Sequence, residues 1–587
     1  MGGRQNMDSV AGGAPSLASM VHLGHPEQHI PGYKMPESAA RPMPKWMIGV
    51  GLVGALAIAN LAGYLEHVGH GAVAPEVALG WSLPFGLLLL CIAVMPFLAN
   101  HFWHKYYPVV AVGLGALVAG YYVLGLHQAG GGGGWPNLAL HLAEYISFVF
   151  IMGSLFIVSG GILIRVRARG GLASPLGNVT LLLIGAVLAN FFGTTGASML
   201  LIRPYLRMNQ GRLRPYHVVF FIFLVANIGG GLTPIGDPPL FLGFLRGVPF
   251  WWVLEHCWQM WLLTVGLLLG IFFVIDWRGG RQANRPLPHG RGSEQVAGST
   301  VASAGGGVRE TGPLVSVYGV GNLVFIGLIV AGILLHDKLY QGVAPLQWRE
   351  MLMALAAAGS LWMTPSRIHG KNHFNYVPIK EVAFLFAGIF ITMVPALNYL
   401  DRHATDPALE KLLQTPGQYF YLSGGLSSVL DNAPTYVTFL EAELGKLDKD
   451  AVERVNAYAG HRPPLGRGGE EMYEGLTPTQ RRQVQAALAA LQKYYPATVH
   501  TGALTASQVR VAFLLGDEKL NLYLIAISMG AVFFGACTYI GNGPNFMVKA
   551  IAEHSGAEVP SFFGYIFWYS LPVLMPVLAV VWWGFLR

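Results

Sequence analysis

The chain has 587 residues, of which 53% are hydrophobic and only 11% charged, and its mean hydropathy is +0.48. No soluble fold covers that much apolar surface, so the chain reads as an all-α polytopic membrane protein. The net charge of +7 comes from basic residues scattered beside apolar stretches, which is the bias of cytoplasmic membrane loops and excludes nucleic acid as a partner.

Residues 1–45 form a polar, cytoplasmic tail without the apolar core of a signal peptide, so the first span is expected to target the chain. A crossing needs about 20 apolar residues. Crossings are read at 46–65, 80–99, 107–126 and 139–164, with 46–79 forming an extra helix and loop. Loops 66–79 and 127–138 lack Lys and Arg, whereas Lys34, Arg41, Lys45, Lys105, Arg165, Arg167 and Arg169 lie on the alternate side. This pattern predicts a cytoplasmic N-terminus in a multi-pass protein of the cell inner membrane. The Gly130 to Gly134 run reads as a connector, and Cys91, Cys257 and Cys537 read as packed small hydrophobes.

Segment 176–202 has arginines at both ends, Arg165, Arg167 and Arg169 before it and Arg203, Arg207, Arg212 and Arg214 after it. One crossing cannot leave both flanks in the cytoplasm. A re-entrant hairpin can, with its tip at Asn190-Phe-Phe-Gly-Thr-Thr-Gly-Ala-Ser198. The next apolar stretch, 216–246, is interrupted by Asn227-Ile-Gly-Gly-Gly-Leu-Thr-Pro-Ile-Gly-Asp-Pro-Pro239, whose four glycines and three prolines forbid a regular helix. Such broken helices are how secondary transporters build binding sites. A crossing at 254–275 closes the first half, 80–276, and 277–313 reads as a disordered cytoplasmic linker.

The second half, 314–587, has crossings at 314–335, 350–364 and 381–400, a hairpin at 416–440 and a polar extracytoplasmic insert at 442–515. The insert contains an amphipathic helix at 477–493 and reads as a small lid or docking element. A second broken helix at 519–550 and a crossing at 562–586 follow, giving about 11 transmembrane helices in all.

The two halves superimpose by offset. Glu144 matches Glu381 at 237, Asn190, Gly193 and Thr194 match Ser428, Asp431 and Asn432 at 238, and Gly230 to Pro239 matches Gly535 to Pro544 at 305. The jump between offsets is about the length of the insert, so one insertion reconciles the matches. An odd number of crossings separates the halves, which therefore form an inverted repeat with the site where hairpin tips meet broken helices.

Asp237 and Asp431 sit at the breaks, and no Lys or Arg falls at matching depth. A carboxylate there calls for a cation or a proton. Oxygens of Thr194, Thr195, Thr233, Ser428, Asn432, Thr538, Asn542 and Asn545 would complete a hard-cation shell, and Asn190, Asn227 and Thr435 join the expected ion or substrate set. Asp237, Asp431, Glu144 and Glu381 are the candidate proton carriers. Structural alternatives stand beside each: Asp237 as a helix N-cap, Asp431-Asn432 as a hairpin turn, Glu144 and Glu381 as complements of a helix dipole, and Asn190 and Ser198 as partners of tip backbone. No cofactor or resident metal is expected beyond the coupling ions Na⁺ and H⁺. Neither His-Glu-x-x-His nor Gly-x-Ser-x-Gly occurs, so no catalytic residue is assigned and hydrolysis is disfavoured.

The Asn227 to Pro239 motif, paired with Ser428-Val-Leu-Asp-Asn-Ala-Pro434, resembles the ion transporter superfamily, especially NhaD-type sodium/proton antiporters and the citrate-transporter-like and arsenite-permease branches. The resemblance covers about 80–276 and 314–586. It implies an elevator-like, commonly dimeric scaffold in which Asp237 and the Asp431-Asn432 pair match the acidic pattern of the sodium/proton branch. Gly193-Thr-Thr-Gly196 departs from the Asn-Asn-x-Pro of many relatives, and Leu240 from the Asn that arsenite-permease relatives tend to carry. The expectation is a sodium (or lithium)/proton antiporter working by alternating access, with transport of citrate, another carboxylate or metal–citrate as the alternative.

Overall fold

A computed structural model describes residues 44–69, 74–126, 134–166, 174–283, 315–335, 348–372, 374–460, 473–501 and 504–587. Most of the polar tail, the Gly130 to Gly134 connector up to 133 and most of the expected linker lie outside the described residues.

The protein is all-α in class, with one short two-stranded ribbon. The first half contains α1 Lys45–Gly69, α2 Leu83–Leu98, α3 Asn100–Gly120 and α4 Gly134–Gly160. Only Ala99 separates α2 from α3, so Lys105 lies inside a helix where a loop was expected. After α4 the chain forms β1 Leu163–Val166, antiparallel to β2 Val315–Tyr318. These stretches had been read as ends of crossings. Their β-branched residues, Ile164, Val166, Val315 and Val317, satisfy a hydropathy count and a strand equally well.

The element α5, Pro175–Met208, is continuous in name only, because Gly193 has φ 71° and ψ 157°. The Asn178 amide donates to Asn209 Oδ1 at 2.8 Å and the Asn209 amide donates back to Asn178 Oδ1 at 2.7 Å. In a straight helix these residues would be roughly 46 Å apart. The two arms therefore fold back on each other as a helical hairpin with Gly193 at its tip. It is followed by α6 Pro215–Leu224, an irregular stretch with a single 3₁₀ turn at Ile228–Gly230, α7 Pro238–Leu245 and α8 Trp252–Ala283. The last of these extends into the stretch read as linker.

The second half opens with α9 Asn322–Leu334 and α10 Trp348–Met363, then α11 Ser366–Lys371, α12 Val377–Thr392, α13 Val394–His403 and α14 Pro407–Leu412. A second hairpin pairs α15 Pro416–Val429 with α16 Asn432–Leu444. The Tyr419 hydroxyl donates to Glu443 and Lys446 Nζ donates to the Leu413 carbonyl at 2.6 Å, so the open ends of the two arms are clamped together. The insert contains α17 Lys449–Gly460, α18 Pro478–Tyr494, α19 Pro496–Thr501 and α20 Ala506–Gly516. Thr477 caps α18 by accepting from the Gln480 amide. The second broken helix comprises α21 Glu518–Phe534, a 3₁₀ turn at Gly535–Cys537 and α22 Gly543–His554, and α23 Phe562–Phe585 ends the chain.

Among the described residues, nine helical stretches are long and apolar enough to cross a membrane, one of them the first hairpin. Length and hydropathy alone do not reproduce the expected count of about 11. The half-helix Glu518–Cys537 qualifies, whereas Pro215–Gly230 of the first break and the expected crossing at Asn322–Leu334 are too short.

Burial separates two sets of elements. Val218 to Leu224 and Ala526, Ile527, Met529, Ala531, Val532 and Phe533 are wholly enclosed, so the two broken helices form the centre with the hairpins packed on them. Around this centre α1 to α4, α9, α10 and α12 pack against one another. Their outward faces carry Val50, Val53, Leu87, Leu90, Val109 and Val324 in the open, as a face against hydrocarbon does. The protein is accordingly a multi-pass membrane protein.

Candidate functional site

Four interrupted elements converge on one carboxylate. Asp237 is 1% exposed. Its Oδ1 accepts from Thr194 Oγ1 at 3.2 Å and from Asn542 Nδ2 at 2.9 Å, and its Oδ2 accepts from Asn432 Nδ2 at 2.7 Å. The first hairpin tip, the second hairpin tip and the second break each supply one donor to the acid of the first break. Among the described residues no Lys or Arg forms an ion pair with it.

The local sequence explains why this carboxylate is free to do so. Asp237 occupies the N-cap position of α7, yet its side chain makes no capping bond. Pro238 and Pro239 offer no N–H, and the Leu240 N–H goes to the Asp237 carbonyl at 3.1 Å. The side chain is left to face the hairpins. Asp431 behaves differently: it caps α16, with Oδ1 accepting from the Ala433 N–H at 3.1 Å.

The same pair of bonds recurs in each half. Thr233 Oγ1 donates to the Asn190 carbonyl at 2.6 Å and accepts from the Gly236 N–H at 3.1 Å. Thr538 Oγ1 donates to the Ser428 carbonyl at 2.5 Å and accepts from the Gly541 N–H at 3.1 Å. Each threonine thus closes the turn of its own break and ties that break to the nearest hairpin tip. Asn190 Nδ2 holds the Gly229 carbonyl at 2.7 Å and its Oδ1 accepts from the Leu232 N–H at 2.9 Å. Asn545 Nδ2 holds the Gly535 and Thr538 carbonyls, each at 2.9 Å. These side chains satisfy unwound backbone in a dry interior, where an unpaired group is costly.

Two amide oxygens in this centre have no hydrogen-bond partner among the described residues, Asn432 Oδ1 and Asn227 Oδ1, both buried; the hairpin hydroxyls of Ser198 and Ser423 are likewise without one, so Ser198 does not hold tip backbone as expected. The orientations of the two amides are fixed by their nitrogens. Asn432 Nδ2 serves Asp237, and Asn227 Nδ2 donates to the Ile222 carbonyl at 2.9 Å and to Asn545 Oδ1 at 2.5 Å. A Cβ on Gly535 would lie 3.2 Å from Asn227 Oδ1 and 3.5 Å from Asn432 Nδ2, so both amides flank one glycine. Oxygens left over beside a buried carboxylate are what a hard cation takes.

Other expected site residues lie nearby but off the carboxylate. Thr195 lines a narrow gap beside Thr194 and Ile235. The Ser428 hydroxyl turns back to the Gly425 carbonyl, and Thr435 to the Asp431 carbonyl. Glu381 is half-buried on α12. Glu144 sits in a network the sequence did not reveal. Its Oε2 accepts from Arg246 at 2.9 Å and lies 3.1 Å from His141 Nδ1, while Arg246 also pairs with Glu441 at 2.6 Å. Glu441 pairs in turn with Arg510, which reaches Asp401 at 2.5 Å. Apart from His141, one helical turn before Glu144, these partners are far apart in sequence and no local spacing signals them.

The profile of the family described as "Putative citrate transport" matches residues 74–586. The chain belongs to that family. Two curated relatives, each named an uncharacterized transporter, one from Mycobacterium bovis and one from Mycobacterium tuberculosis, are 29% identical over 296 residues, which is 47% of this chain and 61% of theirs. A further uncharacterized transporter of Mycobacterium tuberculosis is 27% identical over 277 residues, 45% of this chain and 58% of its own length. The chain thus spans about three-fifths of the relatives it matches. The family is described by a transport activity, and the interrupted elements around Asp237 fall within the matched residues.

Proposed function

We propose that the protein is a secondary active transporter of the inner membrane, with a cytoplasmic N-terminus, that exchanges Na⁺ or Li⁺ for H⁺ by alternating access, as a homodimer. The observation that carries this reading is the buried Asp237, which pairs with no Lys or Arg among the described residues, in a centre that also holds the two leftover amide oxygens Asn432 Oδ1 and Asn227 Oδ1. Such a carboxylate is neutralised either by a proton or by a cation, and the two compete for the same oxygens. Competition at one site is the minimal requirement of antiport. Thr194, Asn432 and Asn542 hold the carboxylate in place for either occupant.

A second reading, transport of citrate or another carboxylate, is favoured by the family description and by the donors around Asp237, since the same hydroxyl and amide groups could turn to a substrate carboxylate. Everted vesicles separate the two. After acidification, Na⁺ or Li⁺ should dissipate the pH gradient, and Asp237→Asn should abolish the response. Citrate uptake with no response to Na⁺ would replace the antiport reading by the carboxylate one.

A further inference from the structure

The half-helix α7 has Asp237 at its start and Arg246 as its C-terminal cap. Arg246, 6% exposed, is shared between Glu144 of α4 and Glu441 of α16. Arg510 of α20 then links Glu441 to Asp401 of α13, at 3.2 and 2.5 Å. Glu144 belongs to the outer helices, and Asp401 lies on α13, which continues from the outer α12. Arg246 and Glu441 belong to the central hairpins and broken helices. The ion pair Glu144–Arg246 therefore crosses from one set of elements to the other, and Arg510 of the insert braces the same junction by joining Asp401 to the central Glu441. The eight-residue α7 is a rigid strut between this network and the Asp237 site.

We propose that Arg246 is a positioning residue that latches the central unit to the outer helices in this conformer, and that α7 couples release of the latch to occupancy of the Asp237 site. The proposal rests on the alternating-access reading. Three acids, Glu144, Glu441 and Asp401, face two guanidinium groups, with His141 Nδ1 within 3.3 Å of Arg246 and 3.1 Å of Glu144. Loss of Glu144 leaves Arg246 still paired with Glu441, so the bond between the two sets weakens without stranding a buried charge.

The test is the rate of disulfide formation between Ser159→Cys on α4 and Gly196→Cys on the first hairpin, in the full chain with Cys91, Cys257 and Cys537 replaced by alanine. A Cβ on Gly196 would stand 3.2 Å from Ser159 Cβ, so the pair reports contact between outer and central elements. Glu144→Gln and Arg510→Gln are each expected to slow cross-linking by about five-fold or more, and Arg246→Lys to recover part of what Arg246→Gln loses. A control pair within the outer helices, Gly332→Cys on α9 with Leu352→Cys on α10, where a Cβ on Gly332 would stand 3.2 Å from Leu352 Cβ, should cross-link at an unchanged rate. The latch is overturned if the Ser159/Gly196 rate is unaltered in both variants, or if the control rate falls in parallel, because the ion pairs then only hold the fold. The result is independent of cargo: failure of Na⁺ to drive proton movement removes the antiport reading while leaving the cross-linking outcome intact.

Discussion

The two breaks are built on one plan and differ at one chemical group. Gly230-Gly-Leu-Thr-Pro-Ile-Gly-Asp-Pro-Pro239 and Gly535-Ala-Cys-Thr-Tyr-Ile-Gly-Asn-Gly-Pro544 share the threonine that ties each break to a hairpin carbonyl. At the start of the second half-helix the first has Asp237 and the second Asn542, and the amide of Asn542 donates to the carboxylate of Asp237. The repeat therefore supplies the acid from one half and its donor from the other. Symmetry builds the frame, and the departure from symmetry places a single charge at its centre.

The sharpest way to break this comparison is Asp237→Asn, which makes the two breaks chemically alike. Exchange in vesicles should fall roughly 100-fold or more, about 2.7 kcal/mol. Adding Asn542→Asp to that variant moves the acid to the opposite half, and partial return of exchange would show that the centre needs one carboxylate whichever half provides it. Asn432→Leu removes both a donor to Asp237 and a leftover acceptor. Apparent affinity for Na⁺ should weaken by roughly 5- to 150-fold, as expected for about 1–3 kcal/mol at a buried polar group, read from the Na⁺ dependence of the pH response.

The hairpin tips offer a smaller contrast. Gly193 holds φ 71° and ψ 157°, open essentially to glycine alone, whereas the matching Asp431 has φ −59° and ψ 139° and caps a helix. Gly193→Ala should lower thermal stability by about 1–3 kcal/mol, and Asp431→Ala by about 1 kcal/mol. Most symmetric are Thr233→Val and Thr538→Val. Each removes a hydroxyl that donates to a tip carbonyl and accepts from the N–H of its own turn, with an expected loss of about 1 kcal/mol per bond in thermal unfolding. Unequal losses would show that the two frames are not mechanically equivalent.

Much of the fold was legible because its signals are local. Apolar runs give crossings, arginines at both flanks of 176–202 require a return to the same side, and Gly/Pro clusters at 227–239 cannot stay helical. The Pro238-Pro239 pair even explains why Asp237 does not cap α7. Other features were not legible. A single Ala99 turn between α2 and α3 and the β1–β2 ribbon leave no mark in hydropathy, which counts carbon and not backbone direction. The sequence by itself determined that acids and amides lie at helix breaks and that the halves repeat. Only the tertiary structure decided that Asp237, not Asp431, is the acid on which all four elements close, and that Glu144 belongs to Arg246. Hydrogen bonds and ion pairs between residues hundreds of positions apart depend on where the packed helices place them, and no spacing along the chain encodes that geometry.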